Sequence, residues 1–285
     1  MTSPKRPNRI TQMIVLAGIV FFASNCTHAE ENTLQRIQRE GVIHTGTEPA
    51  FEPFEFIQNG ETIGYDMDVL HEIAKRMGVK IDQHDMDFNG LLPSLITHKI
   101  DMVATSLAPT PERAKKILFT NSIADMTTVI VTGDDNNSIH NKKDFLDRSI
   151  GTQQNSGYAS YLVKLNDELK EKKGKGIGKI TYFQSYPEIL LALRNKTIEA
   201  TIAPWPIAAN YIKKNPGQLK IAGLWSKKEN DTSVWAVRLD DHALQAEINH
   251  QLESLKNDGT LKSLQEKWFG KGGEEPMDGT NNLKH

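Results

Sequence analysis

Two short stretches of this chain carry groups suited to gripping a small anion. Thr105-Ser106 closes the apolar run Ile100–Ala104 with two hydroxyls and free backbone N–H groups, and Arg113 follows behind Pro109-Thr110-Pro111. A guanidinium beside such a strand end takes a carboxylate through two parallel hydrogen bonds. Asn155-Ser156-Gly157 opens a helical pattern behind a second strand, Ser149–Thr152. Unpaired N–H groups at a helix N-terminus favour anions, so the two stretches form half-sites suited to a clamshell closing on a small solute. Phe51 sits at a loop end where its face is free to stack on a ligand, whereas Phe54 and Phe56 are assigned to the core.

Covalent chemistry is not indicated. No GxSxG, P-loop or HExxH pattern occurs, no two His lie at i, i+4, and the one Cys is Cys26. Gly174, Gly176 and Gly178 alternate with Lys and Ile, as in a loop rather than a phosphate cradle. Asp82, His84, Asp85 and Asp87 crowd one segment without a calcium-loop spacing and read as a solvated strand end, so no metal and no cofactor are expected.

The elements that must position these groups alternate between strand and helix, which gives an α/β class. Strands are expected at Val42–Thr47, Val79–Gln83, Ile100–Ala104, Thr127–Thr132, Ser149–Thr152, Ile180–Phe183, Ile198–Ala203 and Ser233–Val237. Phe54–Ile63 reads as a hairpin turning at Asn59-Gly60. Helices are expected from an Asp66 N-cap to Gly78, over Leu91–His98, Pro111–Ile117, Ser156–Lys170, from a Ser185 cap to Arg194, and over Trp205–Lys214, Asp240–Lys256 and Thr260–Trp268. Pro93–Thr105 aligns without gaps on Leu191–Ala203, with Ile100 matching Ile198 and an acid after each. Read as an internal repeat, this makes Thr105/Ser106 and Ala203/Pro204 equivalent strand ends of two lobes, where ligands of open α/β sheets bind.

At the N-terminus, Lys5, Arg6 and Arg9 precede an 11-residue apolar run, Met13–Ala23, and then Thr27-His28-Ala29. A spanning helix needs about 20 residues, so this is read as a secretory signal peptide cut after Ala29, with periplasmic export. Asn25 fits poorly before a lipidated Cys26, so lipoprotein anchoring is not expected. Residues 271–285 read as a flexible C-terminal tail. With 34 Lys plus Arg against 36 Asp plus Glu, the chain lacks the basic footprint of a nucleic-acid binder.

The chain resembles the bacterial extracellular solute-binding proteins of family 3, receptors of polar amino acid ABC importers, with glutamine- and basic-amino-acid-binding members most alike. The resemblance rests on Gly46-Thr-Glu-Pro-Ala-Phe-Glu-Pro-Phe-Glu-Phe56, Gly64-Tyr-Asp-Met-Asp68, Asp87-Phe-Asn-Gly-Leu-Leu-Pro-Ser-Leu95 and Lys99-Ile-Asp101. Thr110-Pro-Glu-Arg113 with Phe119-Thr120, Lys256-Asn-Asp-Gly-Thr260 and Lys267-Trp-Phe-Gly270 complete it, so that it covers residues 33–270.

It implies a two-lobe periplasmic-binding-protein fold of type II, the lobes joined by two hinge strands. Lobe I would comprise residues 30–126 plus 228–270, and lobe II residues 127–227. Phe51 and Phe88 would sandwich the ligand, and Thr105, Ser106 and Arg113 would hold its α-carboxylate with help from Ser156. Gln153 and Gly157 fall at lobe II contacts, and Glu48 at an acid facing the ligand side chain, which leans towards a cationic or amide group. Ala108 and Pro204 stand where the family carries a hydroxyl and an acid for the α-ammonium. The chain therefore handles the amine differently or takes a ligand without a free primary α-amine, such as a betaine or opine, with Trp205 offering a cation–π face to a methylated ammonium. The expected partners are the small carboxylate-bearing solute and a membrane permease, with the receptor monomeric and not an enzyme. A sensory binding protein and a cyclohexadienyl-dehydratase-like enzyme are the alternatives, the latter needing Glu48 or Glu52 as its acid.

Overall fold

The computed structural model describes residues 1–2, 31–226 and 232–270. The expected signal peptide, apart from its first two residues, and the expected tail lie outside the described residues. None of the described helices is long and apolar enough to cross a membrane.

The chain opens with α1 (Thr33–Glu40), β1 (Val42–Thr47), β2 (Ala50–Phe51), β3 (Glu55–Gln58), β4 (Glu61–Ile63) and α2 (Tyr65–Met77). Next come β5 (Lys80–Asp85), α3 (Phe88–Ile96), β6 (Met102–Leu107), α4 (Pro111–Ala114), β7 (Ile117–Phe119) and β8 (Ala124–Asp125). The second lobe is built from β9 (Thr128–Gly133), β10 (Ser149–Gln153), α5 (Gly157–Lys173), β11 (Lys179–Phe183), α6 (Tyr186–Arg194), β12 (Ala200–Pro204), α7 (Trp205–Lys214) and β13 (Leu219–Ser226). Then β14 (Thr232–Arg238), α8 (His242–Asn257) and α9 (Thr260–Phe269) return to the first lobe.

Each lobe holds one main sheet, and lobe I adds a small antiparallel one, β2-β3-β4. The order is β5-β1-β6-β14-β7 in the first and β11-β10-β12-β9-β13 in the second. In both, three parallel strands meet an antiparallel one, β14 or β9, on the side of the third.

The internal repeat is visible atom by atom. Asp101 takes the His44 backbone N–H at 2.9 Å and an Arg36 guanidinium at 2.5 Å. Glu199 takes the Ser149 N–H at 2.8 Å and an Arg148 guanidinium at 2.9 Å. Gly46 and Gly151 make room for the repeated isoleucine: a Cβ there would stand 2.5 Å from Ile100 Cδ1 and 2.3 Å from Ile198 Cδ1. One design of acid, isoleucine and glycine therefore seats the central strands of both lobes.

Most elements form where their residue patterns put them, with four departures. Helix α2 starts at Tyr65 behind Gly64, not from an Asp66 cap. Gly64 has φ 140°, and a Cβ on it would fall 2.1 Å from the Phe54 carbonyl oxygen, so glycine is needed there. The helix at Pro111 stops after Ala114, and Ile117–Phe119 instead joins the sheet beside β14. Asp82, His84 and Asp85 lie within the edge strand β5 rather than in a strand-end loop. Finally, α1 and β13 had no counterpart in the expected elements. The two register shifts of β13 against β9 interrupt the period of two that marks a strand.

Candidate ligand-binding cleft

The lobe I side grows from the loop after β1. The Glu48 backbone N–H donates to Thr105 Oγ1 at 2.8 Å, and that hydroxyl donates to Glu55 Oε1 at 2.7 Å. Thr105 therefore faces the lobe interior and supports Glu48 from behind. Ser106, one residue on, points to the cleft. Its Oγ donates to Asp66 Oδ2 at 3.0 Å and accepts from Ser233 Oγ at 2.6 Å, while Trp235 Nε1 donates to the same Asp66 oxygen at 3.1 Å. Glu55 and Asp66 are both fully enclosed, and burial pushes both carboxyls above the ordinary range. The Asp66 charge raises Glu55 further, so both carboxyls lean towards their protonated forms.

Arg113 is the unusual charge. Its residue is only 8 % exposed, and burial lowers its pKa to about 10. Nη1 donates to the Ala108 carbonyl at 2.9 Å and Nη2 to the Asn155 carbonyl of lobe II at 3.0 Å. The guanidinium carbon lies 5.4 Å above the Phe88 ring. Among the described residues no carboxylate pairs with it, whereas the other buried arginine, Arg238, meets Asp241 at 2.6 Å. A cation withdrawn from water without an anion is costly unless an anion arrives.

Lobe II answers with neutral groups. Ser156 caps α5, accepting the Ala159 N–H at 3.2 Å and donating to the Gln153 carbonyl at 2.7 Å. Gln153 Nε2 crosses to Glu48 Oε1 at 2.7 Å. Asn155 and Gln184 each bond Asn89, at 2.8 and 3.0 Å, and Phe51 packs its ring edge-on to Tyr186 at 5.1 Å. These contacts close the two lobes on each other.

The closure leaves a cavity of about 30 Å³ lined by Glu48, Phe51, Phe88, Ser106, Arg113, Gln153, Ser156 and Gly157, all expected from sequence. That is room for about two waters, so a larger solute enters only when the lobes part. Burial raises Glu48 to about 8; Asp87 adds to the rise and the Gln153 bond opposes it. A wider groove of about 990 Å³ runs between α4 and α5; Arg113, Ser156 and Gly157 line it as well, but the rest of its charged side chains are exposed or half-buried. The buried charges converge on the small cavity instead, and that is the candidate site.

Three expected residues do not line it. Thr105 lies behind Glu48, as described. Pro204 ends β12, and Trp205 starts α7 with its backbone N–H on the Thr127 carbonyl at 2.8 Å and its ring packed on the core. Ala108, Met126, Tyr158, Tyr186 and Thr232 line the cavity in addition. Tyr186 had a signal in the sequence: the offset that maps Pro93 onto Leu191 maps Phe88 onto Tyr186, so both aromatics are first residues of equivalent helices. Its buried hydroxyl has no hydrogen-bond partner among the described residues.

The model of the bacterial extracellular solute-binding proteins, family 3, matches residues 43–271. This chain belongs to that family. Within it, the chain is 28% identical to a probable amino-acid ABC transporter-binding protein of Haemophilus influenzae, over 90% of this chain and 95% of that protein. The structure is similar to that of an ancestral arginine-binding protein bound to arginine, with a TM-score of 0.73 and 33% identity over 81% of this chain and 99% of the other. It is likewise similar to a putative L-cystine ABC transporter protein from Listeria monocytogenes, with a TM-score of 0.74 and 30% identity over 82% and 98%. The type II two-lobe architecture of this family is therefore the fold of this chain, as its motifs implied.

Proposed function

We propose that this family member is the periplasmic receptor of an ABC importer and captures a polar amino acid by clamshell closure. The observation that carries the reading is Arg113, a buried guanidinium lining the cleft without an anionic partner among the described residues. An α-carboxylate supplies that partner and takes further hydrogen bonds from the N-terminus of α5. Glu48 faces the same cavity and receives the cationic end of the ligand. This assigns to Glu48 the amine recognition that Ala108 and Pro204 no longer provide. A ligand cation also draws Glu48 back to its charged form, replacing the bond from Gln153. The Tyr186 hydroxyl is left to bond a polar ligand atom. One hinge lies at residues 126–127, and the receptor works as a monomer that docks on a membrane permease.

Arginine and cystine stand in the names of the two solved relatives, and this site favours a ligand of that kind, with a carboxylate and a separate cationic group. A thermal-shift screen tests it, since a solute bound only by the folded state raises the melting temperature by mass action. Basic and amide L-amino acids are expected to stabilise, and their decarboxylated amines are not. Equal stabilisation by amine and amino acid overturns the reading.

One feature favours a second reading: burial in the closed cleft raises Glu48 to about 8, towards the protonated form that an acid-catalysed elimination requires. That reading predicts turnover of prephenate-like compounds, with loss of turnover in Glu48→Gln. Binding without turnover leaves the receptor.

A further inference from the structure

Away from the cleft, on the outer part of the lobe I sheet, three side chains of two adjacent strands converge on one point. His44 Nδ1 lies 2.8 Å from Asp82 Oδ2, and His84 Nε2 lies 3.2 Å from the same oxygen. One donor atom from each residue lies within 4.8 Å of the other two. The register explains the convergence. In the parallel pair β1–β5, His44 stands opposite Asp82 and Gly46 opposite His84. Side chains two apart on a strand share a face, so Asp82 and His84 project together and His44 projects beside them.

We propose that His44, Asp82 and His84 form a binding site for a late first-row divalent cation of the Zn²⁺ type. Two imidazole nitrogens and one carboxylate oxygen are the donor set such ions select, while Mg²⁺ and Ca²⁺ seek oxygen-only shells. Zinc bonds of ~2.0–2.2 Å at tetrahedral angles put neighbouring donors about 3.4 Å apart. The two measured His–Asp separations lie near that edge length, so an ion needs only small side-chain rotations to replace the hydrogen bonds now joining the three.

The donors are held ready. The His44 backbone N–H is anchored on Asp101, which Arg36 also clamps. Side chains are 35 %, 51 % and 43 % exposed for His44, Asp82 and His84, so an ion reaches them from solvent and solvent completes its shell. No spacing along the chain announces the site, because His44 comes from 38 residues upstream of Asp82.

The test is calorimetric titration of tag-free, full-length, chelator-stripped protein with ZnCl₂ in millimolar Mg²⁺. One equivalent is expected to bind, and His84→Ala and Asp82→Asn are each expected to weaken it by at least ~10-fold. Circular dichroism and amino-acid binding should be unchanged in both variants, because neither residue touches the cleft. No binding to the wild type overturns the site. So does binding that both variants keep at full affinity, which would belong to His28 or His285, outside the described residues.

Discussion

The two lobes seat their central strands alike and finish them differently. In lobe I, β6 ends in Thr105 and Ser106, with Arg113, Glu48 and the Glu55–Asp66 pair gathered around them. In lobe II, the equivalent strand β12 ends in the apolar Ala203 and Pro204, and the cleft receives Gln153, Ser156, Tyr158 and Tyr186. The shared part is what holds a strand in a sheet; the divergent part is what meets a ligand. Charge recognition is concentrated in lobe I, and lobe II contributes neutral hydrogen bonds, aromatic surface and the act of closing.

The division between the lobes makes predictions of graded size. Arg113→Ala, which removes the lobe I cation, should cost ~2–5 kcal/mol of ligand binding, while circular dichroism stays that of a folded protein. The corresponding lobe II change, Gln153→Ala, should cost less in the same titration; equal losses would break the assignment of charge recognition to lobe I.

Glu48 gives the next largest effect, through pH. Its carboxyl is raised from the ordinary 4.5 to about 8 by burial in the closed cleft. A raised acid favours the protonated closed form, so its stabilisation is complete below pH 4.5 and lost as pH climbs through 8. Ligand-free melting temperature should therefore fall from about pH 5 to pH 9, by on the order of a few kcal/mol of stability. Glu48→Gln should flatten that fall in part, since Asp66 and Glu55 are also raised and remain. A pH profile identical to wild type would contradict the placement of Glu48.

Closure itself is open to a smaller perturbation. A Cβ on Gly157 of lobe II would stand 2.8 Å from Ala108 Cβ of lobe I, and neither atom can rotate away. Gly157→Ala should weaken ligand binding by ~1–3 kcal/mol of overpacking in the closed form. The smallest effect tests the shared half of the comparison. Asp101→Asn, at a buried acid, should destabilise by ~1–2 kcal/mol more than Glu199→Gln, whose side chain is 36 % exposed. Denaturant titration reads both.

Much of this arrangement was legible in the residues, for reasons the structure makes plain. Glycine caps, the Asn59-Gly60 turn and the Ser156 cap act locally, so their elements stand where their patterns put them, whereas α6 starts after Ser185 without a capping bond from its side chain. Phe51, Ser106 and Arg113 were reached from their own chemistry, Glu48 and Phe88 through family motifs, and all five line the cleft. Side-chain direction was not legible. Thr105 and Ser106 are neighbours whose hydroxyls both donate to enclosed carboxyls, of Glu55 and Asp66, yet only Ser106 lines the cavity. Asp66 looked like a helix cap and is instead the buried partner of Ser106 and Trp235, contacts 40 and 169 residues away. Trp205 and Pro204 were placed by equivalence of strand ends, but α7 carries Trp205 onto the core. Tyr186 was within reach, had the repeat been extended five residues upstream.

The central claim is that Arg113 carries the ligand carboxylate. The most direct measurement is a calorimetric double cycle, titrating the tightest-binding amino acid and its α-carboxamide into wild type and Arg113→Ala. The account predicts that the amide binds far more weakly than the acid to the wild type and nearly as well as the acid to the variant, so the two changes are strongly coupled. Additive losses, with the variant still preferring the acid by the wild-type margin, would place the carboxylate elsewhere.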